Sequence, residues 1–270
     1  MKSHVLLRSV IRAVWLLGCL VLLGPVVPAS AGRAEQLLFR GTEFIAYWVD
    51  LDTEDLGLCW KDASGQPLTS FVRLRQQLSA SSRELKFAIN AGIFSPNQVP
   101  LGLHVEDFKM LHPLNLGELE GGQGNFYLKP NGVFYLVKHE PAIVASEEYA
   151  KLGLRPRLAC QSGPLLVSEG RLHPAFRADS ANFHWRTGVG VTREHKIVFV
   201  LSRGPLRFHD FARLFKERLD CDNALYLDGD ICSIYLPELG YRAEGGTEKF
   251  AAMFAVTTKL KPAAPAPRAK

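Results

Sequence analysis

Short strand-like segments recur along this chain of 270 residues and constrain its fold more than any other feature. Nine segments are rich in Val, Ile, Phe and Tyr, which favour extended backbone. They are 44–51, 85–90, 125–128, 133–138, 163–167, 188–192, 196–202, 224–227 and 251–257. The sequence Lys-Pro-Asn-Gly at 129–132 predicts a hairpin turn between two of them, because Asn-Gly tolerates positive φ.

Helical periodicity is confined to a few places. Segments 69–79 and 209–219 each place apolar side chains on one face, and a weaker pattern covers 146–152. Strands and helices do not alternate strictly, and no Gly-x-Gly-x-x-Gly follows a strand, so a doubly wound nucleotide-binding fold is not predicted. We expect a single α+β (mixed α/β) domain with a mixed β-sheet and a few flanking helices.

The two ends of the chain differ from its body. Residues 1–31 join three cations to an apolar run that closes with Ala-Ser-Ala, which predicts a cleavable secretory signal. A transmembrane anchor is the alternative, but Gly24, Pro25 and Pro28 interrupt the run short of the roughly 20 apolar residues that a span needs. Residues 259–270 are basic and rich in Pro and Ala, which predicts a disordered tail. The domain is expected over 32–258, with no stable membrane span after signal cleavage.

The net charge of +5 at pH 7 arises at these two ends. Without the three cations of the signal and the four of the tail, the body carries a net charge of −2, so no nucleic-acid partner is predicted. Four cysteines remain in the body, and their pairing is open between three disulfide patterns and unpaired thiols. They are Cys59, Cys160, Cys221 and Cys232. The signal and the few cysteines favour a periplasmic or secreted protein.

Polar residues stand at three predicted strand ends, where open sheets tend to bind ligands. The clusters are Asn90 with Phe94; Gln161 with Ser162 and Gly163; and Asp228 with Gly229, Asp230 and Ser233. Turn formation is the alternative interpretation of each cluster. Asp228 is the most informative residue, because a carboxylate that ends a buried strand is costly unless it is solvated, paired or catalytic.

Four blocks stand in the order found in one protein family. They are Asn-Ala-Gly-Ile-Phe at 90–94, Gln-Ser-Gly-Pro at 161–164, Arg-Thr-Gly-Val-Gly at 186–190 and Leu-Asp-Gly at 227–229. With them the chain resembles the phosphodiester glycosidase family, whose patterns run roughly N-G-G-Y-F, S-G-P-x-L, R-[ST]-A-x-G and L-D-G-G-G-S-S. Further blocks at 100–103, 124–132 and 208–212 resemble the bacterial YigE-like branch of that family. The resemblance covers about 87–237 and is strong because the blocks occur in order.

The resemblance implies an exported hydrolase that cleaves a sugar from phosphate in a sugar-1-phosphodiester, with a small molecule or a glycan that contains a sugar-phosphate linkage as substrate. Ala91 and Ile93 depart from the family pattern, and Asp-Ile-Cys at 230–232 replaces its flexible Gly-Gly-Ser part. These departures support an alternative, a non-catalytic periplasmic binding protein that holds an envelope glycan or phosphoglycan in the same cleft.

The family reaction suggests roles for individual residues. Arg186 would bind the phosphate through the two hydrogen bonds of a guanidinium fork, with a surface salt bridge as the alternative. Asp228 is the candidate nucleophile or general base, with capping of the Gly229 turn as the alternative. Asn90 completes the predicted catalytic set. The predicted substrate-binding residues are Gln161, Ser162, Gly163, Gly229, Asp230, Ser233, Phe94 and Glu106.

No cofactor is predicted with certainty, and a divalent cation stays open. Asp230 and Glu106 are second-rank acids, and a pair of carboxylates could hold a hard cation. The acids at 220, 222, 228 and 230 do not have the spacing of a calcium loop, however, and the histidines form no metal-binding motif. No two cysteines have the spacing of zinc ligands.

Overall fold

Three antiparallel sheets enclose a common core in the computed structural model, which describes residues 32–118, 124–229, 231–242 and 249–258. The strands of this part of the chain are β1 (Arg33–Phe39), β2 (Thr42–Val49), β3 (Glu54–Cys59), β4 (Leu85–Asn90), β5 (His104–Glu106), β6 (Lys109–His112), β7 (Gly132–Val137), β8 (Glu140–Ala145), β9 (Leu158–Ser162), β10 (Leu165–Ser168), β11 (Arg171–Leu172), β12 (Thr187–Thr192), β13 (Ile197–Ser202), β14 (Cys221–Asp228), β15 (Ile234–Tyr235) and β16 (Met253–Thr258). The α-helices are α1 (Phe71–Ala80), α2 (Ser146–Tyr149) and α3 (Phe208–Arg213).

Strand order defines the three sheets. Seven strands follow the order β1-β2-β13-β12-β14-β10-β11, four follow β15-β4-β16-β3, and five follow β6-β5-β9-β7-β8. Each sheet contributes aromatic side chains to one central cluster. The Phe199 ring of β13 lies 5.5 Å from Phe87 of β4 and 4.9 Å from Phe254 of β16, and Phe254 lies 5.5 Å from Phe134 of β7. Successive side chains of a strand point to opposite faces of its sheet, so one face of each sheet places these rings in the common core.

Helices cover the outer faces of two sheets. α3 continues as a π-helical turn, Leu214–Arg218, and packs Phe211 and Phe215 into a cluster with Tyr226 on the outer face of the seven-stranded sheet. This matches the periodicity predicted over 209–219. α1 packs on the four-stranded sheet and begins after Ser70, whose hydroxyl accepts a hydrogen bond from Arg73 N.

One edge of the seven-stranded sheet brings the predicted site residues together. At this edge β14 ends at Asp228, which lies opposite Thr187 at the start of β12. Thr187 in turn lies opposite Leu201 near the end of β13, and Ser202 lies opposite Phe44 near the start of β2. Arg186 extends the same pairing, because Ser202 N donates to its carbonyl at 2.9 Å. We call this end of the sheet, which is formed by the termini of β14, β12, β13 and β2, the Asp228 edge.

Two sequence-based expectations about the fold are corrected. The predicted mixed sheet is wrong for the described residues, whose strand pairs all run antiparallel. The structure is compatible with the predicted single α+β domain, in which strands strongly outweigh helices. The predicted strand 125–128 is instead a 3₁₀ turn, Asn125–Tyr127. The side-chain amide of Asn131 donates to the Phe126 carbonyl at 2.8 Å and holds this turn, so 129–132 does not join two strands. β7 forms its hairpin with β8.

Some predictions fall on residues that the structure does not describe. The signal at 1–31, the tail at 259–270 and Asp230 lie outside the described residues. In the ranges that are described, no helix has both the length and the apolar character needed to cross a membrane.

Candidate functional site

Thr187 joins two of the predicted catalytic residues. Its hydroxyl accepts hydrogen bonds from Asn90 Nδ2 at 2.9 Å and from Asp228 N at 3.2 Å, and it donates to the Asp228 carbonyl at 3.1 Å. Asn90 Oδ1 accepts from Ser233 N at 3.2 Å. These groups are almost fully buried apart from Ser233, so the bonds fix the end of β4 against the ends of β12 and β14. Sequence analysis gave Thr187 no role, although the Ser/Thr position of the third family block contains it.

Asp228 lies at the end of β14 with 8% of its surface exposed. Its Oδ1 accepts a hydrogen bond from Gly229 N at 2.6 Å, which is the capping contact that sequence analysis weighed against a catalytic role. Gly229 itself is required by close packing. A Cβ at this position would collide with Tyr226 Oη and lie 3.0 Å from the Trp185 carbonyl. Close packing therefore leaves no room for a side chain at position 229.

Arg186 is fully buried, so the surface salt bridge considered in sequence analysis is wrong. Its Nε donates to the Leu206 carbonyl at 2.9 Å, and its Nη2 donates to Asn182 Oδ1 at 3.0 Å. The guanidinium lies 3.5 Å above the Phe208 ring. Nη1 is buried and has no hydrogen-bond partner among the described residues, and no described carboxylate lies within ion-pair distance of Arg186.

The Arg186 environment is unusual for a cation. Burial lowers the pKa of Arg186 from its ordinary value, yet a guanidinium stays protonated at neutral pH because that value is so high. Within the described ranges no residue supplies Arg186 with an opposite charge or with an acceptor for Nη1, and both absences make burial of the guanidinium costly. The arrangement is suited to an anion that brings both the charge and the acceptor.

Gln161 and Ser162 connect the loops around the site. Gln161 Oε1 accepts from Leu103 N and Asn115 N, and its Nε2 donates to the Asn115 carbonyl and to Ser146 Oγ, so the amide uses all four of its hydrogen bonds within the protein. Ser162 Oγ donates to the Leu227 carbonyl at 3.0 Å. This geometry favours a structural role for both residues, in which their side chains hold neighbouring loops and the end of β14 in place.

Two glycines of the predicted motifs allow these segments to pack closely against one another. A Cβ on Gly92 would lie 2.7 Å from the Gln161 carbonyl, so the loop after β4 packs directly on the end of β9. A Cβ on Gly163 would meet Asn131. Both positions exclude larger residues because backbone elements approach closely there.

Phe94 and Glu106 occupy different places. Phe94 is half-buried beyond the end of β4, where its backbone bridges to Pro100. Glu106 contacts His104, with 2.6 Å between Oε1 and Nε2. In the register of β5 with β9, His104 lies opposite Cys160 and Val105 opposite Ala159, so Glu106 points along β9 away from Ser162. The structure does not bring Glu106 to the Asp228 edge.

Metal and thiol chemistry find little support in the described ranges. No group of three or more His, Cys, Asp or Glu side chains is placed there to hold a metal ion. The four cysteines of these ranges form no disulfide with one another. Cys160 lies next to the braced Gln161, and burial raises its pKa to about 12, so it is a neutral thiol at physiological pH.

Comparison with known proteins places this geometry in a family. The model of the phosphodiester glycosidase family matches residues 83–233, a range that contains Asn90, Arg186, Asp228 and Ser233. The uncharacterized protein YigE of Escherichia coli K12 is 34% identical over 191 residues, which are 71% of this chain and 73% of that protein. The chain belongs to the phosphodiester glycosidase family. The family and the bacterial branch predicted from the motifs are both confirmed.

Solved structures of low sequence identity support the fold of this phosphodiester glycosidase family member. A hypothetical protein from Synechocystis aligns with a TM-score of 0.55 and 16% identity over 84% of this chain, which spans only 62% of that protein. The zebrafish N-acetylglucosamine-1-phosphodiester alpha-N-acetylglucosaminidase catalytic domain, auto-inhibited by its pro-peptide, aligns with a TM-score of 0.53 and 14% identity over 86% of this chain and 82% of that one. At these identities the likeness establishes a shared fold.

Proposed function

We propose that this family member is an exported hydrolase that cleaves the bond between a sugar and phosphate in a sugar-1-phosphodiester. The observation that carries the proposal is the buried guanidinium of Arg186, which has an unused N–H and no carboxylate partner among the described residues. It flanks β12, and the neighbouring strand β14 ends in the carboxylate of Asp228. Family membership and the fold shared with the zebrafish catalytic domain support the same reaction class.

Arg186 is proposed to bind the phosphate of the substrate. A phosphodiester carries one negative charge, which would offset the buried guanidinium, and its oxygens would accept the hydrogen bond that Nη1 leaves unused. Nε and Nη2 are already held by Leu206 and Asn182, so the fork is oriented before the ligand arrives. Because Arg186 is fully buried, a phosphate reaches Nη1 only when neighbouring groups move, and we expect binding to be accompanied by a local opening.

Asp228 is proposed to act at the anomeric carbon, as nucleophile or as the base that activates water. Hydrolysis breaks the bond between that carbon and the bridging oxygen, which leaves as a phosphomonoester with its electron pair, while water supplies the hydroxyl of the free sugar. The second pKa of a phosphomonoester is about 6, so this leaving group needs little help from a general acid. Asn90 and Thr187 hold the end of β14 in place for this step.

The first test is release of free sugar from a panel of sugar-1-phosphodiesters, including nucleotide sugars, by the mature protein with and without a chelator. Asp228→Ala is compared with Asp222→Ala, because Asp222 lies near the opposite end of the same strand in an exposed ion pair. We expect turnover by the wild type and by the Asp222 variant, and none by the Asp228 variant. Loss on chelation would add a divalent cation to the mechanism.

The alternative of a binding protein gives the opposite pattern. A folded wild type that turns over no member of the panel, together with tight ligand binding that survives Asp228→Ala, would overturn the proposed hydrolysis. The anomeric configuration of the sugar first released, read by NMR, separates the two roles of Asp228: retention indicates a covalent intermediate and inversion indicates direct attack by water.

Export is proposed from residues 1–31. Expression of the full chain in a Gram-negative host, followed by fractionation and N-terminal sequencing, should yield a periplasmic or secreted product that begins at residue 32. Recovery of the unprocessed chain in the cytoplasm or the membrane would contradict it.

A further inference from the structure

A cleft of about 590 Å³ opens at the Asp228 edge, on the α3 side of the seven-stranded sheet. Its charged lining consists of three arginines, Arg40, Arg207 and Arg213, and one acid, Asp210. This volume lies in the range of small-molecule sites in proteins. The mechanism proposed above does not use this cleft.

The positive charge of the cleft is only partly compensated. Asp210 lies 3.7 Å from Arg40 Nε and 3.8 Å from Arg207 Nη1, which is beyond hydrogen-bond distance for both, while Arg213 Nε contacts Glu217 at 2.7 Å. His209 also lines the cleft, and its Nδ1 is buried without a hydrogen-bond partner in the described part of the chain. One carboxylate shared by two arginines leaves donors available to an anion.

Sheet register relates this cleft to the site. Asp228 ends β14, Arg186 flanks the adjacent strand β12, and Arg40 precedes β2, which is separated from β12 by β13 alone. Neighbouring strands are about 4.8 Å apart, so β14 and β2 are about 14 Å apart along this edge. Leu206 connects the two places directly, because it lines the cleft and its carbonyl holds Arg186 Nε at 2.9 Å.

We propose that this cleft binds a second anionic group, a phosphate, carried by the half of the substrate that leaves with the scissile phosphate. The linear order along the edge sets the direction: Asp228 meets the sugar, Arg186 the scissile phosphate, and the cleft beyond Arg186 the leaving half. The preferred substrate class is therefore a sugar-1-phosphodiester whose other half is itself phosphorylated. This inference rests on the proposed function for its direction, whereas anion binding in the cleft can be tested without turnover.

The binding test uses inorganic pyrophosphate as the probe and isothermal titration calorimetry as the readout. The double variant Arg40→Gln/Arg207→Gln should weaken binding at least tenfold, because the charge-assisted hydrogen bonds of the two arginines that share Asp210 are lost. Asp210→Asn should tighten binding, because it removes the competing carboxylate. Arg193→Gln is the matched control, since Arg193 forms an exposed ion pair at the far end of the sheet. No binding by the wild type, or equal binding by all four proteins, would overturn the proposal.

The kinetic test compares two substrates with the same sugar, a methyl phosphodiester and a diester whose leaving half carries a terminal phosphate. The wild type should favour the phosphorylated substrate, and the double variant should lower the ratio of the two kcat/KM values about tenfold. An unchanged ratio of the two kcat/KM values would show that the cleft does not contribute to recognition of the leaving half. If neither substrate is turned over, the proposed function fails, while the calorimetry still decides whether the cleft binds anions.

Discussion

The two ends of the β12–β14 strand pair carry the same residue types in opposite environments. At one end, Arg193 and Asp222 form two hydrogen bonds of 3.0 Å each, and 81% of the Arg193 side chain is exposed. At the other end, Arg186 is fully buried and Asp228 is nearly so, and the two form no ion pair with each other. The buried arginine is held instead by a carbonyl and by an amide side chain.

This difference separates a stabilising contact from a candidate binding group. An exposed pair gains little, because water and salt screen both charges. A buried guanidinium to which no described residue offers a carboxylate is costly to the folded state, so its position is better explained by a ligand that supplies the missing charge. The substitutions below test this contrast by making the same change at both ends.

The largest effect is expected for Asp228→Asn. The amide keeps an oxygen that can accept from Gly229 N, so the turn is retained while the negative charge is lost. Turnover should fall by about 10²–10⁴-fold, the usual contribution of a base or nucleophile, with little change in Tm. Asp222→Asn should leave turnover unchanged. Full activity of Asp228→Asn would show that the carboxylate only caps the turn.

Arg186→Lys should lower kcat/KM by about 10–100-fold. Lysine keeps the positive charge but cannot reproduce the planar fork that Leu206 and Asn182 hold in place. Arg193→Lys, on the exposed end, is the control and should stay near wild type. Steady-state kinetics on the same sugar-1-phosphodiester measures both, with thermal unfolding to confirm that each variant is folded. Equal kinetics for the two variants would argue against a phosphate contact at Arg186.

Gly229→Ala tests how tightly the turn after β14 is determined. The added methyl group collides with Tyr226 Oη, so we expect a loss of about 1–3 kcal/mol in the free energy of unfolding and a loss of activity. Gly204→Ala is the matched control, because its methyl group would meet only Thr42 at 3.9 Å. Chemical denaturation measures both. Wild-type stability of Gly229→Ala would mean that the turn has room to move.

The smallest effect is expected at the exposed pair, and it depends on pH. Hydrogen bonding to Arg193 lowers the pKa of Asp222 in the folded state, so the contribution of the pair is present above the unfolded pKa of about 3.9 and is lost as the pH falls through the lower folded value. Asp222→Asn should change Tm by less than about 2 °C at pH 7, and this change should vanish at low pH or in 1 M salt. A large, salt-independent change would contradict the contrast between the two ends.

Local sequence patterns predicted individual helices and strands better than the long-range contacts between them. The amphipathic segment 209–219 is helical, and the apolar segment 224–227 lies inside β14, because hydrophobic periodicity and a short apolar run are signals carried by a few neighbouring residues. Segment 125–128 has the composition of a strand but forms a turn, since a long-range packing site for Phe126 and a side-chain bond from Asn131 decide it. Other strands were not predicted, because their apolar runs are short or interrupted by polar residues. They are β1, β3, β5, β6, β8, β9, β11 and β15.

The candidate site was only partly predicted, because local motifs identify residues but do not show which of them meet in the fold. Family blocks identified Asn90, Arg186 and Asp228, and the structure places them at one sheet edge. The same reasoning put Glu106 beside them, although the register of β5 with β9 directs it elsewhere. It also assigned Gln161 to the substrate, whereas all four hydrogen bonds of its side chain are made within the protein.

The sequence by itself determined the family, the order of the motifs and the apolar segments that build the sheets, because these depend on residue identity and on neighbours along the chain. Only the tertiary structure decided that Arg186 is buried with no carboxylate partner among the described residues while Arg193 is paired in water, and that a cationic cleft continues the Asp228 edge. Burial and charge pairing are properties of residues far apart in sequence, and the antiparallel register of β2, β13, β12 and β14 alone brings those residues into one row.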